Sequence, residues 1–141
     1  VVENLKWLAD LAQEHGVLVA MENSPKSCRN PQLLNEYVAM LDHPNIRPMV
    51  DTTEACEAGE DPVAFLSGVK NCHIHMSDFK DPVKHLPAGE GNIDWQGVKQ
   101  ALADQNYKGM YVLEPAYRFY LDDVENRLRR AYEFISGLME G

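Results

Sequence analysis

Four side chains able to hold a metal ion or move a proton stand where four short apolar runs end. Glu22 follows residues 17–21, Asp51 follows 46–50, His75 lies in 72–76 and Glu114 follows 110–113. In parallel α/β folds the strand C-termini open onto one face, where active sites gather. Two Glu, one Asp and one His make a hard, mixed donor set. It suits Mn²⁺, Mg²⁺, Co²⁺ or Zn²⁺ better than a thiol-seeking metal. Taken singly, an acid after a strand also serves as a helix cap or a solvated turn residue. Four at four strand ends is the pattern that points to a shared site. Strand alternation puts His73 and His75 on one side. If Glu22, His75 and Glu114 face inward, His73 sits one layer below His75.

The elements that position these groups alternate along the chain. Leu5, Leu8, Leu11 and Ala12 mark a helix over 3–15, closed by His15-Gly16. Asn30-Pro31 opens a second helix, with a stripe of Leu33, Leu34, Tyr37, Val38 and Leu41. Asp61-Pro62 opens a short third helix, and Asp94 caps a fourth through Val98, Ala101 and Leu102. A final helix is expected over 122–138, and residues 79–93, with Gly89 and Gly91, read as one long loop. Four strands, each followed by a helix, plus one preceding helix imply a parallel sheet with helices packed on it. Two architectures fit: an open doubly wound sheet, or part of a (β/α)8 barrel, which normally takes about 250 residues.

Composition narrows the function. The chain has 141 residues, 45% of them apolar, and reads as a single domain over 1–141. A net charge of −9 is poorly matched to a phosphate backbone, so no nucleic-acid partner is expected. No apolar run reaches the ~20 residues of a membrane helix, and no secretory signal is visible. The three cysteines, Cys28, Cys56 and Cys72, form no C-x-x-C, and a cytoplasmic setting is expected.

Several motifs occur in a telling order: Met21-Glu22-Asn23, Val50-Asp51-Thr52, His73-Ile74-His75-Met76-Ser77-Asp78, Gly89-Glu90-Gly91-Asn92-Ile93-Asp94-Trp95 and Val112-Leu113-Glu114-Pro115. Together they resemble the C-terminal half of the xylose isomerase-like TIM barrels, the superfamily of sugar phosphate isomerases and epimerases. The resemblance implies strands five to eight of the barrel and a divalent metal held by Glu22, Asp51, His75 and Glu114. It implies that Glu22 and Glu114 are also catalytic, passing a proton next to a carbonyl through a metal-stabilised enediolate. The activity so implied is a metal-dependent sugar isomerase or epimerase. The alternatives are an inosose or keto-polyol dehydratase, or a non-catalytic half-barrel that binds metal or sugar. The partner expected is a small sugar or polyol, with either a homo-oligomer or a missing N-terminal half to complete the barrel. The chain departs from the ketose 3-epimerase pattern in three places. Glu54 stands where a His is usual, Asp81 where an Arg is usual, and Cys28 where a Glu is usual. Five His and an acidic balance argue against the endonuclease IV branch.

Several further residues are candidates for the site or for structure. Glu54 is a substrate-binding group, an extra ligand or base, or one acid of the solvated run Glu54, Glu57, Glu60, Asp61. Asp78 reaches the substrate or orients His75, or caps a loop. His85, with Lys84, contacts an anionic substrate or belongs to a mobile loop. His73 is a further substrate-side candidate. Trp7 and Trp95 are expected to pack helices on the sheet. Tyr117, Arg118, Phe119 and Tyr120 line the pocket mouth or an interface.

Overall fold

The computed structural model describes residues 1–140. Strands β1 (Val19–Glu22), β2 (Ile46–Asp51), β3 (Ile74–Met76) and β6 (Tyr111–Leu113) form one sheet in the order β1-β2-β3-β6. Every pairing in it is parallel, with Glu22 opposite Met49, Asp51 opposite His75 and His75 opposite Val112. Helices α1 (Val2–Glu14), α2 (Pro31–Leu41), α4 (Pro62–Gly68), α5 (Trp95–Asp104) and α6 (Val124–Glu140) connect or flank these strands. The arrangement is an α/β fold with the parallel strand order of a partial barrel.

Local chemistry sets the helix starts. Asn30, Asp61 and Asp94 each cap a helix by accepting a backbone N–H, from Leu33, Val63 and Gly97 respectively. Pro31 and Pro62 occupy the first helical turn, where no N–H is missed. Val50, Ile74 and Met76 are fully buried with Leu34, Phe65, Leu66, Val98 and Leu102, which sets the helix-side core. Alternation therefore turns Asp51 and His75 to the opposite face of the sheet.

Three expectations change. Residues 79–93 are not one loop, because β4 (Asp78–Lys80) and β5 (Val83–Leu86) pair antiparallel as a hairpin. Val83 and Lys84 are exposed, so the hairpin carries no apolar alternation for the sequence to display. A further helix, α3 (Thr52–Glu57), starts directly at the end of β2. Its polar opening, Thr52-Thr53-Glu54, reads as loop, yet Thr52 and Thr53 are fully buried. Trp7 is 66% exposed rather than packed on the sheet. Helix α1 turns Val2, Leu5 and Ala9 to the core at helical spacing, which leaves Trp7 on another face. Trp95 is buried, as expected.

Candidate metal-binding site

The parallel register brings the four strand-end groups together. Glu22 ends β1, Asp51 ends β2, His75 lies inside β3 and Glu114 immediately follows β6. One ligand atom from each lies within 4.8 Å of all the others. His75 Nδ1 stands 2.6 Å from Glu114 Oε2 and 3.0 Å from Glu22 Oε1.

Asp51 is the most constrained member. Its residue is 0% exposed, and its Oδ1 accepts the Glu54 backbone N–H at 2.8 Å as the cap of α3. Its Oδ2 is buried with no hydrogen-bond partner. Burial pushes the Asp51 carboxyl up to about 8, against the pull of the Glu54 N–H and with help from Glu22 and Glu114. Burial also raises Glu22, opposed by His75 and reinforced by Glu114. A buried carboxylate oxygen without a donor, facing two more carboxylates and an imidazole, is the environment a divalent cation satisfies. The donor set thus fits a hard divalent ion.

Polar neighbours that the sequence did not single out hold the strand ends in place. Asn23 donates from Nδ2 to the Asp51 carbonyl and accepts the Asp51 N–H at 2.7 Å, tying β1 to β2. Thr52 Oγ1 donates to the Ser77 carbonyl at 2.7 Å, and Thr53 Oγ1 shares a hydrogen bond with Ser77 Oγ at 2.8 Å, tying β2 to β3. The available signal was position: each is a small polar residue within two places of a strand-end ligand.

A pocket opens over the group, lined by Glu22, Asn23, Ser24, Asp51, Glu54, His85 and Glu114. Glu54 and His85 therefore join the four. His85 Nε2 lies 3.4 Å from Glu54 Oε1, and His85 Nδ1 lies 3.1 Å from Ser77 Oγ. His73 sits below His75 with ring centroids 5.2 Å apart, edge to face, and does not line the pocket. Burial lowers its pKa. Tyr117, Arg118, Phe119 and Tyr120 do not line the pocket either.

Of the readings open for Asp78, the structure supports the loop cap and not contact with the pocket or His75. It is fully buried and accepts from the Phe79, Gly89 and Ile93 backbone N–H groups at 2.9, 2.9 and 3.1 Å. The Trp95 indole N–H donates to it at 2.8 Å. Its oxygens are occupied by the loop before α5, so it touches neither the pocket nor His75. Gly91 leaves room for this knot: a Cβ there would overlap the Asp78 carboxylate and come 2.6 Å from the Phe79 carbonyl. Gly91→Ala is expected to destabilise the fold by about 1–3 kcal/mol, read as a lower urea midpoint at unchanged m-value.

Residues 1–137 match the model of the family described as xylose isomerase-like TIM barrel. The chain belongs to that family. Among xylose isomerase-like relatives, the D-psicose 3-epimerase of Ruminiclostridium cellulolyticum is 29% identical over 126 residues, covering 83% of this chain and 41% of that protein. The inosose dehydratase of Clostridium tetani is 23% identical over 135 residues, covering 81% of this chain and 45% of that protein. Solved barrels superpose closely. The D-psicose 3-epimerase of Clostridium cellulolyticum H10 with D-tagatose gives a TM-score of 0.80 at 22% identity, over 98% of this chain and 55% of that one. The IOLI protein with a bound zinc atom gives 0.80 at 18% identity, over 98% of this chain and 54% of that one. The chain thus spans about half the length of the relatives it matches. Among the described residues, no helix is long and apolar enough to cross a membrane.

Proposed function

We propose that this chain binds one divalent cation through Glu22, Asp51, His75 and Glu114 and carries out proton transfer at a carbon beside a carbonyl. The substrate is a small polyhydroxylated carbonyl compound, and the activity is that of a sugar isomerase or epimerase. One observation carries the reading: four ligand atoms within 4.8 Å of one another, one of them on a buried carboxylate whose Oδ2 has no donor. The cation would be Mn²⁺, Mg²⁺, Co²⁺ or Zn²⁺, and when bound would offset negative charge developing on the carbonyl oxygen. Glu22 and Glu114 stand at the ends of the two outer strands of the sheet, and both reach His75 Nδ1. In this reading one carboxylate removes the proton and the other returns it. His73, packed edge-on beneath His75, restricts the imidazole's orientation. Glu54 and His85 hold a substrate hydroxyl at the rim.

The same pair favours a second reading, dehydration of a keto-polyol. A carboxylate and an imidazole 3.4 Å apart can deliver a proton to a departing hydroxyl. In the proposed assembly the chain supplies strands five to eight as the C-terminal half. The other four strands come from an N-terminal half or from a second copy. The three free cysteines suit a reducing, cytoplasmic setting.

The test is proton NMR in D2O of ketoses and inososes with the Mn²⁺-treated and then metal-exchanged Zn²⁺ form of the chain. Deuterium entering beside the carbonyl, with a new epimer or isomer, is the expected result. Loss of water from an inosose would select the dehydratase. Absence of exchange in a sugar that binds the loaded chain would contradict both.

A further inference from the structure

His85 reaches the pocket from the β4–β5 hairpin, outside the parallel sheet. Its backbone is left-handed, φ 53°, a region that residues other than glycine seldom occupy. The segment after β6 holds it there. The His85 carbonyl accepts the Ala116 N–H at 2.8 Å, and the neighbouring Lys84 carbonyl accepts from the Arg118 guanidinium at 3.2 Å. Such pinned, sparsely populated backbone is found where a side chain must be aimed. The ring is aimed between two partners of this same chain. Its Nδ1 lies 3.1 Å from Ser77 Oγ and its Nε2 lies 3.4 Å from Glu54 Oε1.

These contacts fix where the hydrogens go. Ser77 is fully buried, and its hydroxyl stands between His85 Nδ1 and Thr53 Oγ1, the latter at 2.8 Å. Each hydroxyl has one hydrogen to give, and a neutral imidazole has one N–H and one lone pair. Two directions are open. In the first, Ser77 donates to Thr53, Thr53 donates to the Ser77 or Asp78 carbonyl, each at 3.2 Å, and Nδ1 carries the ring hydrogen. Nε2 then turns its lone pair on the Glu54 carboxylate, and two acceptors oppose each other in a partly buried place. In the second, Thr53 donates to Ser77, Ser77 donates to Nδ1, and Nε2–H points to Glu54. Every contact then pairs a donor with an acceptor. The Ser77 carbonyl loses nothing by this, since Thr52 Oγ1 donates to it at 2.7 Å.

We infer that Ser77 is a positioning residue that holds the neutral His85 ring in its Nε2–H form. The ring then gives the pocket a hydrogen-bond donor, and Glu54 beside it gives the acceptor. The lone pair of the ring faces Ser77, so the neutral ring takes up no proton on the pocket side. Use of the donor on a substrate oxygen rests on the sugar reading above; the form of the ring does not.

The experiment is 15N NMR of the ring nitrogens in the full chain, labelled at its five histidines. The pH is raised until the ring signals stop moving, so that neutral rings are observed, and His85→Gln assigns His85 by loss of its signals. Nε2 is expected to be the hydrogen-bearing nitrogen by about tenfold or more, the worth of one hydrogen bond to a charged group. Nδ1 is expected to show the upfield displacement of a lone pair that accepts a hydrogen bond. Ser77→Ala should lose that displacement and raise the Nδ1–H form about threefold or more, with Ser77→Cys, a weaker donor, between the two. Thr53→Val leaves the Ser77 hydroxyl free to donate and should keep the wild-type form. Backbone amide spectra report whether each variant is folded. A dominant Nδ1–H form in the wild-type chain, or His85 signals unchanged in folded Ser77→Ala or Ser77→Cys, overturns the inference and leaves the sugar reading standing. The expected ring form in a chain that fails the deuterium-exchange test would remove the sugar reading and uphold the role of Ser77.

Discussion

Asp51→Asn should make the metal-free chain more stable and the metal site far weaker. In the metal-free chain the Asp51 carboxyl is fully buried and one of its oxygens has no donor. Burial pushes it up to about 8, so holding it charged is unfavourable at neutral pH. The amide has nearly the same shape. Its oxygen can still cap α3 at the Glu54 N–H, and its nitrogen can donate toward Glu114. Thermal or urea melts of metal-free protein at pH 8 should therefore show a gain of about 1–3 kcal/mol. Divalent-ion affinity should fall at least a hundredfold, because a charged ligand is lost from a buried site, a loss of about 3 kcal/mol or more. The opposite signs separate a ligand from a structural carboxylate. A structural residue would lose stability without a comparable loss of binding.

The second large effect is the pH dependence of metal binding. Asp51 is raised from an ordinary 3.8 to about 8, and Glu22 is raised too. A raised acid favours the folded chain fully below its unfolded pKa, and that contribution is lost as pH rises through the folded pKa. Metal-free protein should thus lose stability between about pH 4 and 8, by up to about 1.4 kcal/mol per pH unit for one proton. The cation requires the deprotonated form. Apparent affinity should climb up to about tenfold per pH unit from pH 6 to 8, then level off. Calorimetry in buffers of different ionisation enthalpy should find about one proton released per ion at pH 6.5 and fewer at pH 9. A flat profile over that range would mean that Asp51 is not displaced from its proton by the metal.

Much of this architecture is legible in the amino-acid order. The N-cap and Pro pairs at Asn30-Pro31 and Asp61-Pro62 mark helix starts by local chemistry alone, and the structure keeps both. The strand-end groups are legible because parallel register carries each apolar run to the same edge of the sheet. Alternation likewise places His73 beneath His75. What sequence patterning misses is held by long-range polar contacts. The β4–β5 hairpin buries little apolar surface, and the loop beyond it is organised by Asp78 through Gly89, Ile93 and Trp95, up to 17 residues away. No periodicity announces such a knot. Helix α3 is hidden for a similar reason: Asp51 acts at once as a strand end, a helix cap and a candidate ligand. The exposure of Trp7 follows from the choice of helical face, which its neighbours Val2, Leu5 and Ala9 decide.

The central claim is that Glu22, Asp51, His75 and Glu114 act together as one cation site. Calorimetric titration of Mn²⁺ into the full chain at pH 8, beside the Glu114→Gln variant, tests it most directly. One ion per chain at micromolar strength, about −8 kcal/mol, collapsing in the folded variant, is the predicted result. Absence of binding to the folded wild-type chain, or binding that survives Glu114→Gln unchanged, would contradict it.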